Sequence, residues 1–348
     1  MMKKKWAHQS NVDFTQDEKS DAMPFSKYIK QQITKWLSIV LPILLGVFLI
    51  FYTYEKFTPA QVEEIKSYFK NANYYYIYLA AGIAVLGNAS RAYRWKFSLE
   101  QMGYKSSFRN NFMAVSIGYL LNLTVPKSGE ISRALIVKKY NNIPFDKGFG
   151  SIVAERIIDM LILLFFMILA VYLQFDIVKS FILDKIPMVK LVLFLSVGLL
   201  LFVLAILLYK YSKAKWILAI KEKISGLEEG VFSILYMEKK WAYCFHTIFI
   251  WFTYVLTFYI AIFVFPETST LSVNAVVTSF VVGSIAIAFT NSGFGSYPFL
   301  ISKILLFYSI SETTGNAFGW IVWTSQMLLV LILGLMSFIL LPVLNRKK

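Results

Sequence analysis

Cysteine and histidine are nearly absent from this chain of 348 residues, which contains one cysteine, Cys244, and two histidines, His8 and His246. A single cysteine can form neither an intramolecular disulfide nor a cysteine-based metal site. The two histidines have no partner at the spacing of metal ligands. These absences exclude a disulfide-stabilised fold and a cysteine-based metal centre, and we expect no cofactor.

Charged residues are also scarce, at 16% of the chain, whereas hydrophobic residues make up 57%. A soluble domain of this size would carry more charge, and the apolar residues occur in runs long enough to cross a bilayer. The formal net charge is +15, but the lysines and arginines concentrate in short loops, as the positive-inside rule requires. The composition therefore predicts a multi-pass membrane protein without a nucleic-acid partner.

Six apolar segments are predicted to cross the membrane, namely residues 36–54, 74–95, 150–174, 188–209, 241–265 and 316–341. Basic loops alternate with loops of balanced charge, which predicts that both termini lie in the cytoplasm. Residues 1–35 are polar and are predicted to form a flexible cytoplasmic tail, and residues 36–345 a single membrane domain. Residues 213–236 are amphipathic and are expected to lie on the inner surface.

Two further apolar stretches contain helix-breaking residues. Pro126 ends the first, because proline lacks an N–H group and its ring clashes with the preceding turn. Ser128 is then a candidate N-cap for a new helix. Because the loops on either side are basic, this segment is predicted to enter and leave the membrane on the inner side. Residues 271–310 contain a second break, at 290–298, and are predicted to form a matching hairpin from the outer side.

The two halves of the membrane domain, residues 36–175 and 188–341, resemble each other. Phe112–Ser116 corresponds to Phe280–Ser284, and each of these runs leads to a Ser-Gly pair. Each half has three crossings, so the halves are predicted to be inverted relative to each other. The predicted fold is an all-α polytopic membrane helix bundle of six crossings and two re-entrant hairpins, with eight complete spans as the alternative.

Charged residues also lie within the apolar segments, where each charge costs roughly 2.5–3.5 kcal/mol at mid-membrane. Glu155 and Asp159 are four residues apart and so share a helix face, on which like charges repel. We therefore expect cationic side chains to face them, the candidates being Arg91, Arg94 and Arg133. Such a cluster either fixes the helices structurally or lines a polar groove.

The groove interpretation predicts a site for a phosphate head group. The planar guanidinium of arginine binds phosphate through two hydrogen bonds, and the helix start at Ser128–Gly129 attracts anions. The candidate substrate-binding residues are Arg91, Arg94, Ser128, Gly129, Glu130, Arg133, Glu155, Arg156, Asp159, Ser292, Gly293 and Gly295.

At these residues the chain resembles the membrane domain of the lysylphosphatidylglycerol synthase/flippase family, over residues 36–341. The resemblance is carried by Arg91–Trp95, Pro126, Gly129, Glu130, Arg133, Glu155, Arg156 and Asp159, with the glycine-rich break near Gly293 and Gly295. It implies a protein of the bacterial inner membrane that moves lipids or lipid-linked sugars between leaflets. The chain departs from the family at Ser292, which stands at a glycine position, and at Pro298, which stands at a glutamate position.

The resemblance leads us to expect a flippase-like transporter whose partners are anionic phospholipids or lipid-linked sugars. Because no soluble aminoacyl-transferase domain follows the last predicted span, we do not expect an enzyme. Two alternatives remain open at this point. One is a secondary transporter of a small solute or ion, and the other is a membrane-embedded enzyme in which Glu130, Glu155 and Asp159 hold a divalent metal. The sequence does not predict an oligomeric state.

Overall fold

The computed structural model of the chain describes residues 25–174 and 236–346, with side chains from residue 40, and short pieces between them at 196, 203–204, 207–212, 214 and 217–218. Every regular element among these described residues is helical. The helices are α1 (Phe25–Lys56), α2 (Pro59–Asn71), α3 (Tyr74–Gln101), α4 (Phe108–Thr124), α5 (Ser128–Asn141), α6 (Phe145–Leu173), α7 (Lys240–Ala261), α8 (Val273–Phe289), α9 (Ser296–Leu306) and α10 (Glu312–Leu344). Two 3-10 turns, Ile262–Val264 and Thr268–Thr270, follow α7.

Among the described residues, three helices are each long and apolar enough to cross a membrane: α6, α7 with its first 3-10 turn, and α10. The apolar part of α1 and the whole of α2 pass the same test together but are bent by 115°. Tyrosine, asparagine and arginine residues lower the hydropathy of α3. The predicted all-helical membrane protein is confirmed, whereas the count of six crossings stays a prediction. Most of 188–209 and of 213–236 lies outside the described residues, as do residues 1–24 of the predicted tail.

The first two helices differ from the sequence prediction. Helix α1 begins at Phe25, so residues 25–35 of the predicted tail are helical, while the flexibility and cytoplasmic position of that tail stay a prediction. The segment predicted as an outer loop contains α2, which starts at a capping box. The Thr58 hydroxyl accepts from the N–H of Gln61, and the Gln61 side chain accepts from the N–H of Thr58. Pro59 at the first helical position favours the same start.

Helices α4 and α5 form the first hairpin, with a break between Thr124 and Ser128 as predicted. They run antiparallel, since Asn110 at the start of α4 donates to Asn141 at the end of α5 at 3.3 Å. Near the break the backbones touch, and a Cβ on Gly129 would lie 2.1 Å from the carbonyl oxygen of Gly118. Only glycine at position 129 allows this approach.

The predicted role of Ser128 as an N-cap is wrong. Lys127 occupies the N-cap position of α5, with a left-handed φ of 65°. The Ser128 hydroxyl donates to the carbonyl oxygens of Leu121 at 2.9 Å and Val125 at 2.7 Å. The hydroxyl therefore donates to carbonyl groups at the carboxyl-terminal end of α4 and does not cap the amino-terminal end of α5.

Helices α8 and α9 form the second hairpin. Its break contains three left-handed residues, Ser292, Gly293 and Gly295, which reverse the chain within six residues. The hydroxyl groups of Thr290 and Ser296 lie 2.8 Å apart across the break. Both predicted breaks are thus confirmed as helix interruptions, while their insertion into a membrane from opposite sides stays a prediction.

Helix α10 packs along both hairpins. Near its first end, a Cβ on Gly319 would lie 2.6 Å from the Cα atom of Pro298 in α9. Farther along, the indole N–H of Trp323 donates to the carbonyl oxygen of Ser292 at 2.8 Å. The second hairpin therefore approaches from the Glu312 end of α10 and points its tip toward the middle of that helix.

The first hairpin approaches α10 from the opposite end. Asn345, which follows α10, and Asn110 of α4 donate to each other's side-chain oxygen at 2.9 and 3.0 Å. A Cβ on Gly334 would lie 2.5 Å from the Cβ of Leu120. The two tips meet where the side-chain amide of Asn291 donates to the carbonyl oxygen of Leu123 at 3.2 Å.

The described buried residues form two large apolar clusters and two small ones. The two large clusters are as follows. The first joins α3, α4, α5 and α6 around Trp95, and the second lies mainly among α7, α8, α9 and α10 around Phe318. Helices α3 and α7 pack antiparallel, because Asn73 before α3 contacts Val264 after α7 while Ser90 contacts His246. Helix α6 packs on α8, and α10 packs on α4. In an inverted repeat, the last helix of each half would pack against the hairpin of the other half, as α6 and α10 do here. The repeat itself stays a prediction.

The glycine contact in the first hairpin can be tested by Gly129→Ala. The added Cβ would meet backbone atoms of Gly118, which cannot move as a side chain can. We expect the hairpin to separate and the melting temperature of the purified protein in detergent to fall clearly. Gly82→Ala is the matched control, because a Cβ there meets nothing within 4 Å and alanine favours helix. Equal melting temperatures for both variants would contradict the close packing.

Candidate functional site

The two carboxylates of α6 face arginines, as the sequence predicts. Asp159 binds both arginines of α3: its oxygens lie 2.8 Å from Nη1 of Arg91, 2.8 Å from Nη1 of Arg94 and 3.1 Å from Nη2 of Arg94. The Arg94 pair is bidentate, which is the strongest arrangement of these two groups. Asp159 therefore ties the middle of α6 to the second half of α3.

Glu155, one helical turn before Asp159, binds the first hairpin. Its Oε2 atom lies 3.1 Å from Nη2 of Arg133 and 3.9 Å from Nη2 of Arg94. The guanidinium of Arg133 also stacks on Trp95 of α3, with 4.2 Å from its central carbon to the ring centroid. A cation placed over an indole face gains electrostatic stabilisation. Glu155 and Trp95 together fix α5 against α3 and α6.

We call these five residues the arginine network: Arg91, Arg94, Arg133, Glu155 and Asp159. All but Asp159, whose side chain is 12% exposed, are almost completely enclosed. Arg94 and Glu155 are 0% exposed, while Arg91 and Arg133 are 3% and 2% exposed. Removing charges from water costs several kcal/mol per ion, which is recovered only when the pairing geometry is good. The arginines are therefore held by protein carboxylates and do not line an open surface.

Some polar atoms in the arginine network have no partner among the described residues. They are Nε of Arg91, Arg94 and Arg133, Nη1 of Arg133, and Oε1 of Glu155. Three arginines against two carboxylates also leave a formal charge of +1. A buried network with unused donors and excess positive charge can still accept an anionic oxygen.

One further pair joins the arginine network to the first hairpin and is open to the surroundings. Nε of Arg156 lies 3.2 Å from Oε1 of Glu130, and its Nη1 lies 3.9 Å from Asp159. The Arg156 side chain is 38% exposed and that of Glu130 is 19% exposed. Among the predicted site arginines, Arg156 is thus the accessible one.

The start of α5 is partly occupied by the protein itself. The side-chain oxygen of Asn122 accepts from the N–H of Gly129 at 2.7 Å, and the N–H of Ser128 donates to Val125. The amide group of Asn122 also lies 3.5 Å from Glu130. The helix start that the sequence predicts as an anion site therefore already has a neutral oxygen from α4 on one of its first N–H groups.

The three predicted site residues of the second break make other contacts. The carbonyl of Ser292 binds Trp323, and a Cβ on Gly293 would meet the same indole at 3.4 Å. A Cβ on Gly295 would lie 2.3 Å from the carbonyl oxygen of Gly46 in α1. These residues shape the hairpin tip against α1 and α10. The bond from Asn291 to Leu123 brings the tip to the first hairpin.

Sequence reasoning missed the contribution of α7. The hydroxyl of Tyr254 accepts from Nη2 of Arg91 at 2.9 Å, and the hydroxyl of Thr247 lies 3.4 Å from Nη1 of Arg94. The ring of Tyr243 lies 5.6 Å from the guanidinium carbon of Arg94. Their spacing of four and seven residues puts these side chains on one helix face. This polar face is the signal in the sequence from which a contribution of α7 could have been predicted.

Within the described parts of the chain, no three histidine, cysteine, aspartate or glutamate side chains are placed to hold a metal ion. Glu130, Glu155 and Asp159 each pair with arginine instead. The carboxylates thus have cationic partners from the protein itself.

Comparison with known proteins agrees with this architecture. Residues 39–343 match the family described as the lysylphosphatidylglycerol synthase transmembrane region. The chain belongs to this family. The predicted resemblance is confirmed, and it covers almost the whole of the predicted membrane domain.

Two relatives are archaeal. A UPF0104 membrane protein of Methanocaldococcus jannaschii is 28% identical over 178 residues, which are 45% of this chain and 53% of the relative. The glycosyltransferase AglD of Haloferax volcanii is 29% identical over 134 residues, which are 38% of this chain and 21% of that enzyme. The matches thus span about half of the first relative and about a fifth of the second. No solved structure matches the chain significantly.

The contribution of Asp159 to the stability of the fold can be tested by Asp159→Asn. The substitution keeps the shape but leaves Arg91 without an anionic partner and Arg94 with only Glu155, at 3.9 Å. Breaking a buried pair in this way costs about 3–5 kcal/mol. We expect a large fall in the melting temperature in detergent. The control is Glu63→Gln, because Glu63 is 71% exposed and pairs only with a neighbouring lysine of α2. A melting temperature of Asp159→Asn equal to that of this control would contradict the buried pairing.

Proposed function

We propose that this protein is a flippase-like transporter that moves a phospholipid or a polyprenyl-phosphate-linked head group between the leaflets of a bacterial cytoplasmic membrane. Both termini lie on the cytoplasmic side in this proposal. The observation that carries it is the position of the arginine network and the Arg156–Glu130 pair. They lie beside the first hairpin, close to where its tip meets that of the second hairpin, along the length of α10.

The accessible pair suggests how a head group is held. The guanidinium of Arg156 is engaged by one oxygen of Glu130 at 3.2 Å and is 38% exposed. A phosphate offers two oxygens in the geometry that guanidinium favours. An arriving phosphate competes with Glu130 for Arg156, and Glu130 takes the guanidinium back when the lipid leaves.

The buried residues act differently in this proposal. Asp159 lies 3.9 Å from Nη1 of Arg156 and so helps to orient the accessible guanidinium. Arg91, Arg94 and Arg133 hold the two carboxylates of α6 in place and contribute the net positive charge. They are positioning residues in the closed arrangement, and they meet the head group only if α6 and the first hairpin move apart.

The polar path lowers the main barrier to lipid movement between leaflets. A charged head group cannot enter the hydrocarbon core without losing its hydration. In this proposal, the two interrupted helices offer backbone and side-chain hydrogen-bonding groups at the depth where the head group loses its water. Irregular backbone is tolerated at that depth where it lines a cavity or is buried in protein. The lipid named in the family description supports a phospholipid as cargo.

The proposal is tested with the purified protein in vesicles that contain tail-labelled fluorescent phosphatidylglycerol. Dithionite added outside bleaches only outer-leaflet label, so the second phase of bleaching reports translocation. We expect Arg156→Ala to slow this phase about tenfold, equivalent to about 1.4 kcal/mol, and Arg156→Lys to slow it less. The side chain is partly exposed, so the melting temperature should change little.

Lys66→Ala is the matched control, because Lys66 is an exposed cation on α2 that is paired with Glu63. Its translocation rate should equal that of the unchanged protein. The proposal is overturned if the unchanged protein bleaches like protein-free vesicles. It is also overturned if Arg156→Ala translocates at the unchanged rate.

A further inference from the structure

A cavity of about 300 Å³ lies between the second hairpin and the bend from α1 to α2. Its walls come from α1, α2, α9 and α10, and most of the lining side chains are apolar, among them Leu49, Phe299 and Trp320. The volume is at the lower limit of sites that hold small molecules. None of the lining residues belongs to the arginine network or to the Arg156–Glu130 pair. The cavity is therefore a feature of the fold that the proposed function does not use.

Close contacts hold the helices around this cavity in place. At one end, a Cβ on Gly295, just before α9, would lie 2.3 Å from the carbonyl oxygen of Gly46 in α1. At the other end, the hydroxyl of Thr314 in α10 donates to the hydroxyl of Tyr68 in α2 at 2.8 Å. The four walls thus touch at both ends while the space between them stays open.

One polar side chain of α10, Asn316, lines this largely apolar cavity. Asn316 is 5% exposed, and its side-chain amide makes no hydrogen bond with any residue that the structure describes. Its amide atoms are not fully enclosed, unlike the unpaired atoms of Arg133, so they face the cavity. A buried amide without a partner is unfavourable, and its two N–H groups can donate to a ligand. The cavity therefore suits an apolar ligand that carries a hydrogen-bond acceptor.

The level of Asn316 along α10 indicates which acceptor fits. Helix α10 has 33 residues and so is about 50 Å long, whereas the hydrocarbon core of a bilayer is about 30 Å thick. About 10 Å of a centred helix then extends beyond the core at each end. Asn316 lies about 6 Å from the Glu312 end, which is the level of the ester groups that join acyl chains to a lipid head group. From there the cavity continues to Gly295 near the hairpin tip, which lies deeper along α10.

The mouth of the cavity opens on the apolar surface of α1. Tyr54 lines the cavity and is 63% exposed, and the neighbouring Phe51 is exposed to the same extent. In a membrane protein, lipid chains cover such exposed apolar side chains. A lipid chain can therefore enter sideways from the bilayer, whereas a water-soluble ligand would have to cross this apolar surface.

We propose that this cavity holds one acyl chain of a glycerolipid from the surrounding bilayer, whose ester carbonyl accepts a hydrogen bond from the side-chain amide of Asn316. The lipid is resident: it stays between α1 and the second hairpin and is not the molecule that is carried between leaflets. Its chain fills the space beneath the bend from α1 to α2 and so holds that bend against α9 and α10. The inference goes beyond the proposed function and does not depend on it.

The test compares two phosphatidylcholines with the same head group and chain length, one ester-linked and one ether-linked, since an ether linkage lacks the carbonyl. Each lipid is titrated into the purified protein in detergent while the melting temperature is recorded. We expect the ester lipid to reach half of its stabilising effect at about fivefold lower concentration, as one additional hydrogen bond provides. Equal concentrations for the two lipids would overturn the inference.

Asn316→Leu assigns the preference to the amide. Leucine has a similar size and suits the apolar lining, so the variant should fold, but it cannot donate to a carbonyl. We expect the two lipids to act on this variant at the same concentration. A preference for the ester lipid that persists in Asn316→Leu would overturn the inference.

A second pair of variants tests the position of the chain. Ile50 lines the cavity, so Ile50→Trp should fill it, and neither lipid should then raise the melting temperature as it does in the unchanged protein. Phe51→Trp is the matched control, because Phe51 is exposed on α1 and is not part of the cavity lining; this variant should respond to both lipids like the unchanged protein. Equal responses of the two tryptophan variants would place the lipid elsewhere and overturn the inference. If Ile50→Trp does not fold, the comparison with Asn316→Leu decides.

Discussion

Two carboxylates on one face of α6 hold three arginines from α3 and α5, and the arrangement of the first half depends on this pairing. Burying an arginine without an anionic partner would cost more free energy of desolvation than the packing around it contributes. Once Asp159 holds Arg91 and Arg94, and Glu155 holds Arg133, the positions of α3, α5 and α6 are fixed together. The apolar core around Trp95 then fills the remaining space. Charge pairing and apolar packing together hold these three helices.

The second half is built on different contacts. Its helices meet through large apolar side chains around Phe318 and through glycines that let α10 approach α9. The charged network therefore has no described counterpart of the same kind on α8, α9 and α10, although both halves share the order of a helix, a hairpin and a helix. The buried ion pairs therefore lie beside the first hairpin. The second hairpin contributes shape and the contact of Asn291 with Leu123.

Residue chemistry that acts locally could be predicted from the sequence. Pro126 and the glycines at 293 and 295 predicted both breaks, because proline and glycine act on the backbone of their own turn. The spacing of Glu155 and Asp159 predicted that arginines would face them. Burial could not be predicted: the sequence suggested an open groove, whereas Arg94 is 0% exposed. The roles of Ser128 and Tyr254 depend on which helix lies opposite, and a single sequence does not contain that information.

The pairing of Arg133 with Glu155 also sets an order of assembly during synthesis. Helix α5 carries Glu130, Arg133 and two lysines in 14 residues, too many charges to enter a membrane by hydropathy alone. Its partner Glu155 follows Arg133 by 22 residues and leaves the ribosome later. The first hairpin therefore acquires its buried ion pair only after α6 has been synthesised.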